Sequence, residues 1–310
     1  MMNIKHAYYS SDNRISRIYT LLWEPVTNDA PRGVLQIVPS FGEHIGRYDA
    51  FASFLAENGF VVCGADHVGH GGSVDSVEAL GAVNENAHLT IVRDIGTLQR
   101  IMAKRYPGLP YFMLGAGVGS FAARIYAGAF PEKLSGAVFM GTSQLPDFVW
   151  ALTDPLNALL ERLPANLSSA AAPNVLFGKL TMRLYKDNSE LSWLSVNEEN
   201  LISYISDPLT GFPMTRQLTD AMLQLLLRGS HEKNANARPP EFPVMFVSGA
   251  KDSFGLFGRG VIRASDLYAA AGMSPEVVLY PTDRHEILHE DDRERVFTDI
   301  LRFLTASIGE

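Results

Sequence analysis

Residues 111–126 read Tyr111-Phe112-Met113-Leu114-Gly115-Ala116-Gly117-Val118-Gly119-Ser120-Phe121-Ala122-Ala123-Arg124-Ile125-Tyr126. An apolar run leads into a glycine-rich turn, and a helix-forming stretch follows. A strand, a tight turn and a helix at mid-chain is the setting in which Gly-x-Ser-x-Gly holds a serine hydroxyl above a sheet. The outer glycines, Gly115 and Gly119, stand at the right spacing. The centre is Gly117, which has no side chain. This stretch predicts an elbow without a nucleophile.

The pattern outside the elbow decides the fold class. An apparent hairpin opens the chain, with residues 6–9, a Ser-Ser-Asp-Asn turn at 10–13, and then Ile15 to Trp23. Gly33-Val34-Leu35-Gln36-Ile37-Val38 reads as a buried strand, and Tyr48, Phe51, Phe54 and Leu55 mark one face of a helix. Further strands are expected at residues 59–66 and 136–141, with a helix over 88–105 that ends before Pro107. From about Ser143 to Pro240 no convincing strand occurs, and helical patterns at 156–163, 175–185 and 217–227 are broken by proline and polar stretches. Strands return at 243–249 and 276–280, and an amphipathic helix covers about 291–307. Alternating βα units interrupted by a helical block predict an α/β protein with a mostly parallel sheet and a helical insertion.

Composition narrows the classes of function. With 310 residues, 46% of them hydrophobic, the chain suits one large α/β domain or one with an inserted subdomain. A net charge of −8 without a basic cluster argues against nucleic acid and against an anionic membrane surface. The single cysteine, Cys63, excludes an internal disulfide and fits a reducing compartment. No apolar run has signal-peptide character or spans a bilayer, so a cytoplasmic location is the expectation.

Two further positions line up with the elbow. Asp252 follows the strand at 243–249, where an acid can orient an imidazole, and His285 follows the strand at 276–280. The chain order of elbow, acid and histidine is that of α/β-hydrolase triads, in which serine attacks a carbonyl, histidine takes its proton and the carboxylate fixes the tautomer. With Glu43-His44-Ile45-Gly46-Arg47-Tyr48, Ala65-Asp66-His67-Val68-Gly69-His70-Gly71, Asp207-Pro208-Leu209-Thr210-Gly211-Phe212 and Arg284-His285-Glu286-Ile287-Leu288, the chain resembles the monoacylglycerol lipase and lysophospholipase branch of the α/β-hydrolases, of serine aminopeptidase type. The resemblance covers nearly the whole length. It implies an α/β-hydrolase core at 1–143 and 236–310, with a helical cap over the active site inserted at 144–235. It also implies Asp252 as the acid, His285 as the base, and backbone oxyanion donors at Phe41 and Val118. The implied ligand is an acyl ester or lipid-like small molecule, with no cofactor and no metal ion.

The departures cluster at one site. The family reads Gly-His-Ser-Met-Gly at the elbow, where this chain has Ala116 and Gly117 in place of His-Ser. It reads His-Gly after the third strand, where this chain has Pro39-Ser40, and Val68 replaces an arginine. Serine-type hydrolysis at Gly117 is chemically excluded, and a histidine base without a nucleophile has little to do. The expectation is a catalytically impaired homologue that binds an acyl or small apolar ligand. The alternative is an active carboxylic-ester hydrolase with a displaced nucleophile, for which Ser40 is the better candidate, or with a water activated by His285 in the space Gly117 leaves. Ser120, early in the following helix, is expected to bond a backbone carbonyl.

Blander readings stand beside each residue. Gly117 is also what a turn with unusual dihedrals requires, and Asp252–His285 is also a plain stabilising pair. Cys63 in a buried strand is a small core residue. Asp66, His67 and His70 suggest a metal site by residue type, but the resemblance makes them a structural turn. Phe148, Trp150, Leu156, Leu159, Leu160 and Phe177 line an apolar pocket or pack the cap on the core. Gly115–Ser120 partly mimics a Gly-x-Gly-x-x-Gly dinucleotide loop. The last glycine falls one position early, and no acid ends the next strand, so that reading fails.

Overall fold

The structure, a computed structural model, describes residues 3–26, 29–144, 184–185, 189–237 and 239–309. Eight strands form one sheet: β1 (Asn3–Ser10), β2 (Arg17–Glu24), β3 (Gly33–Val38), β4 (Phe60–Ala65), β5 (Tyr111–Ala116), β6 (Gly136–Met140), β7 (Val244–Gly249) and β8 (Glu276–Tyr280). Their spatial order is β1-β2-β4-β3-β5-β6-β7-β8. The β1–β2 and β2–β4 pairs are antiparallel and every other pair is parallel. The central strands β3, β5, β6 and β7 are buried along their whole length, as continuous apolar runs covered on both faces must be.

Helices α1 (Asp49–Glu57), α2 (Ala87–Arg105) and α3 (Val118–Ala129) cover the sheet, followed by α4 (Glu198–Ser206), α5 (Arg216–Gly229), α6 (Arg259–Ala270) and α7 (Arg293–Ser307). One core lies under α2, α3 and α5 and includes Val34, Met113, Phe121, Leu218 and Phe246. The other lies under α1 and α7 around Trp23, Leu35, Phe51, Phe112 and Ile300. In α2 the residues Ile91, Ile95, Leu98 and Met102 form the buried stripe of an amphipathic helix. α5 begins at a Thr215 cap, whose hydroxyl accepts the Leu218 N–H, and buries Leu218, Ala221, Met222 and Leu225. Among the longer described helices, α4 and α6 lie where the periodicity gave none. In α4, Ile202 and Ile205 are exposed, so its apolar residues do not form a core-facing stripe.

The insertion expected at 144–235 and the pattern at 175–185 lie partly outside the described residues, and the pattern at 156–163 and the pocket candidates Phe148, Trp150, Leu156, Leu159, Leu160 and Phe177 lie wholly outside them. Of its described helices, α5 packs against α2 and α3. Among the described residues, no helix is long and apolar enough to cross a membrane.

Candidate active site

Four loops at the carboxyl ends of β3, β5, β7 and β8 meet at one point, the edge where open α/β sheets hold their ligands. Gly117 is the residue between β5 and α3, with φ +50° and ψ −124°. A side chain is strained in that region, and glycine is not. Its N–H donates to Met140 O at 2.9 Å. The outer glycine Gly119 is needed for close approach: a Cβ there falls 2.1 Å from Pro39 O and 2.5 Å from Val38 O. The elbow backbone is thus wedged against the end of β3.

That wedge brings Ser40 to the elbow. A Cβ built on Gly117 falls 2.3 Å from Ser40 Oγ, 2.9 Å from Ser40 Cβ and 3.0 Å from His285 Nε2. The side chain absent at 117 is matched by one present at 40, in the same space. Ser40 Oγ accepts the Val118 N–H at 3.2 Å. The Phe41 N–H has no acceptor among the described residues. Ser120 donates its hydroxyl to Gly117 O and lies 2.8 Å from Thr142 Oγ1. It is fully buried and spent on the backbone carbonyl that its place in the helix implied.

His285 Nδ1 lies 2.9 Å from Asp252 Oδ2. The carboxylate is fully buried; it also receives the Phe254 N–H at 2.8 Å and the Ser248 hydroxyl at 3.3 Å. With Nδ1–H donated to Asp252, Nε2 faces Gly117 as an acceptor. Burial disfavours the imidazolium, but the Asp252 charge and hydrogen bond outweigh it, and the His285 pKa is raised. Trp193 and Phe254 flank the ring, with centroids at 4.9 and 5.2 Å. A cavity of about 40 Å³ lies over the elbow, walled by Ser40, Gly117, Trp193, Leu194, His285 and His289 among others. That is room for an ordered water or the reacting end of a ligand.

The serine aminopeptidase S33 pattern matches residues 29–292. The chain belongs to this family of α/β-hydrolases. It is 26% identical over 292 residues to the monoacylglycerol lipase of Mycolicibacterium smegmatis, covering 94% of each chain. It is 31% identical over 194 residues to human monoglyceride lipase, covering 62% of this chain and 56% of that one. A thermostable carboxyl esterase from Bacillus coagulans, solved with glycerol, superposes with a TM-score of 0.86 at 28% identity, covering 99% of this chain and all of that one.

Residues of three of the stretches that carry the resemblance meet beside the site. Glu43 Oε1 accepts the Ser40 N–H at 2.6 Å and the Tyr48 hydroxyl at 2.6 Å. Its other oxygen faces Arg47 Nε at 3.3 Å, and Arg47 in turn pairs with Glu286 at 2.6 Å. Asn200 donates to Glu286 at 2.7 Å, and the Tyr204 ring lies 5.0 Å from the guanidinium. His44 Nε2 meets Asp207 Oδ2 at 2.8 Å, which ties the first motif to the third. Burial pushes the Glu43 carboxyl up, whereas Glu286, although buried, is held below its ordinary value by Arg47. Glu43, Arg47 and Glu286 stand within motifs of the sequence, but no role for them is legible there. Trp193, Leu194 and Tyr204 carry no signal at all in the sequence, since no local pattern ties residues 193–204 to residue 285.

Asp66, His67 and His70 form the turn after β4. Asp66 accepts the N–H groups of Ile45 at 2.6 Å and Gly72 at 2.7 Å, and burial pushes its pKa up to about 6. His67 Nε2 lies 2.9 Å from Pro39 O, and His70 Nδ1 lies 3.0 Å from Val68 O. Burial lowers their pKa values to about 4 and about 3, so both rings are neutral near pH 7. Val68 is buried beside this turn, and Cys63 is a buried thiol pushed up to about 12.

Proposed function

We propose that this protein binds a single-chain acyl ester above Gly117 and that the elbow-serine mechanism of its family is lost. Residual ester hydrolysis, slow beside that of an intact triad, runs through Asp252 and His285. The carrying observation is the retained pair: His285 Nε2 is aimed, 3.0 Å away, at the point where the elbow side chain is missing. The names of the relatives, a monoacylglycerol lipase and a carboxyl esterase, support an acyl ester as the ligand. The segment 144–235 acts in this reading as the cap, and Trp193, Leu194 and Tyr204 supply part of its wall.

Binding and oxyanion contacts alone leave roughly 10³–10⁴-fold catalysis over water whether or not the histidine is present, so only turnover above that floor reports on His285. Hydrolysis of short- and medium-chain p-nitrophenyl esters by the wild type, beside His285→Ala, tests the reading. Activity above background that His285→Ala removes is the expected outcome. A pH dependence follows from the raised His285 pKa. The base works only as neutral imidazole, so turnover rises with pH through a midpoint above the ordinary imidazole value of about 6.5. The ion pair's contribution to stability has the opposite sense. It is complete below the unfolded histidine pKa and lost as pH climbs through the folded one. A pH–rate profile that falls across this range contradicts a His285 base.

One observation favours a second reading, binding with no turnover. Ser40 Oγ already occupies the Val118 N–H, one of the two oxyanion donors that the family resemblance implies. Wild type and His285→Ala both at background, with a fluorescent monoacylglycerol still bound, establish this second reading.

A further inference from the structure

We propose that Ser40 is the nucleophile of a rearranged triad, Ser40–His285–Asp252; this deepens the hydrolytic reading above and rests on it. Ser40 Oγ and His285 Nε2 lie 2.3 and 3.0 Å from one point, the Cβ position that Gly117 leaves empty. Both groups border the same cavity. The exchange of glycine and serine between the two loops moves the hydroxyl across the site and keeps it beside the base.

Placement of Ser40 is rigid. Its N–H is held at 2.6 Å by Glu43, whose carboxylate is buried and fastened by the Tyr48 hydroxyl and Arg47. At rest, Ser40 Oγ receives the Val118 N–H and makes no hydrogen bond to His285. Rotation about Cα–Cβ turns the hydroxyl toward Nε2, and catalytic hydrogen bonds commonly tighten only when substrate is bound. The donor set survives the exchange in mirrored form. In a serine hydrolase of this fold the residue after the nucleophile gives one oxyanion N–H and the facing loop gives the other. With Ser40 attacking, those roles pass to Phe41 and Val118 respectively, and the Phe41 N–H stands without a protein acceptor among the described residues.

The chemistry closes without any further reagent. Ser40 Oγ bonds to the acyl carbon as its proton passes to His285 Nε2, and the carbonyl π pair moves onto oxygen between the Phe41 and Val118 N–H groups. Collapse breaks the bond to the alcohol oxygen, which leaves with the proton from His285. Water, giving a proton to Nε2, then attacks the acyl-Ser40 ester. Ser40 departs, takes that proton back, and the carboxylic acid is released.

The test combines p-nitrophenyl butyrate kinetics with a fluorophosphonate probe and peptide mass mapping on wild type, Ser40→Ala and His285→Ala. The expected result is one phosphonyl adduct on the Ser40 peptide of the wild type, absent from both variants. Ester turnover in Ser40→Ala is expected to fall at least about 100-fold, to the level of His285→Ala. Thermal melting establishes that Ser40→Ala is folded, and the wild-type adduct decides the matter if it is not. Wild-type turnover in Ser40→Ala, with His285→Ala inactive and no adduct on Ser40, overturns the inference while leaving a His285-activated water. Faster turnover in Ser40→Ala also overturns it, by making Ser40 a plug in the oxyanion site. Absence of both turnover and adduct in the wild type sinks this inference and the hydrolytic reading together.

Discussion

Gly117→Ser combined with Ser40→Gly is expected to raise ester turnover at least about 10²-fold over the wild type, whereas Gly117→Ser alone is not. The reason is steric before it is chemical. A Cβ at 117 stands 2.9 Å from Ser40 Cβ and 2.3 Å from its Oγ, closer than non-bonded carbon and oxygen approach. The single change therefore forces two side chains into one space, on backbone already at φ +50°. Strain at that φ and overpacking each cost about 1–3 kcal/mol, so Gly117→Ser alone is expected to lower stability by about 2–6 kcal/mol. Removing the Ser40 side chain clears the space and frees the Val118 N–H. What remains to limit the double variant is Pro39 and Ala116, the two other positions beside the elbow at which the family resemblance implies different residues. Urea midpoints and p-nitrophenyl butyrate kinetics on both single variants and the double variant form a complete cycle. If Gly117→Ser alone reached the activity of the double variant, the two loops would not be sterically linked and this account would fail.

The largest expected loss of stability comes from Arg47→Met. Arg47 lies between Glu43 and Glu286, with all three side chains at most 10% exposed. Methionine keeps much of the packing volume but leaves two buried carboxylates facing one another. Breaking a buried ion pair in this way costs about 3–5 kcal/mol. The penalty depends on pH in a definite sense. Burial raises both carboxyls, and Arg47 is the largest of the groups that lower them. Without Arg47 both bind protons more readily in the folded chain, so the loss is greatest near neutral pH and shrinks as pH falls and they protonate. Urea denaturation at pH 7 and pH 5 measures it. An equal deficit at the two pH values removes the electrostatic explanation. Because Glu43 also holds the Ser40 N–H, the variant is expected to lose ester turnover as well.

Much of the fold was legible because its signals are local. The strands at 33–38, 111–116, 136–140 and 244–249 are continuous apolar runs between turn residues, and they fold as fully buried strands. The 217–227 pattern lies within α5, whose apolar face is the one that packs. α4 was not legible because its isoleucines point outward. Of the site, Asp252 and His285 were readable from their positions after strands, and Ser120 from its place in a helix.

The sequence alone determined the order of the chemistry: a strand and turn ending at a glycine, an acid and a histidine after later strands, and no serine at the elbow. These are properties of residue type and of spacing along the chain. Only the tertiary structure decided what lies against Gly117. Ser40 and Gly117 are 77 positions apart, and no periodicity links them. Parallel pairing of β3 with β5, and the contact of Gly119 with the Val38 and Pro39 carbonyls, set their loops against each other. At that separation the Ser40 hydroxyl occupies the space that a side chain at 117 would need, because a packed interior leaves no room for both.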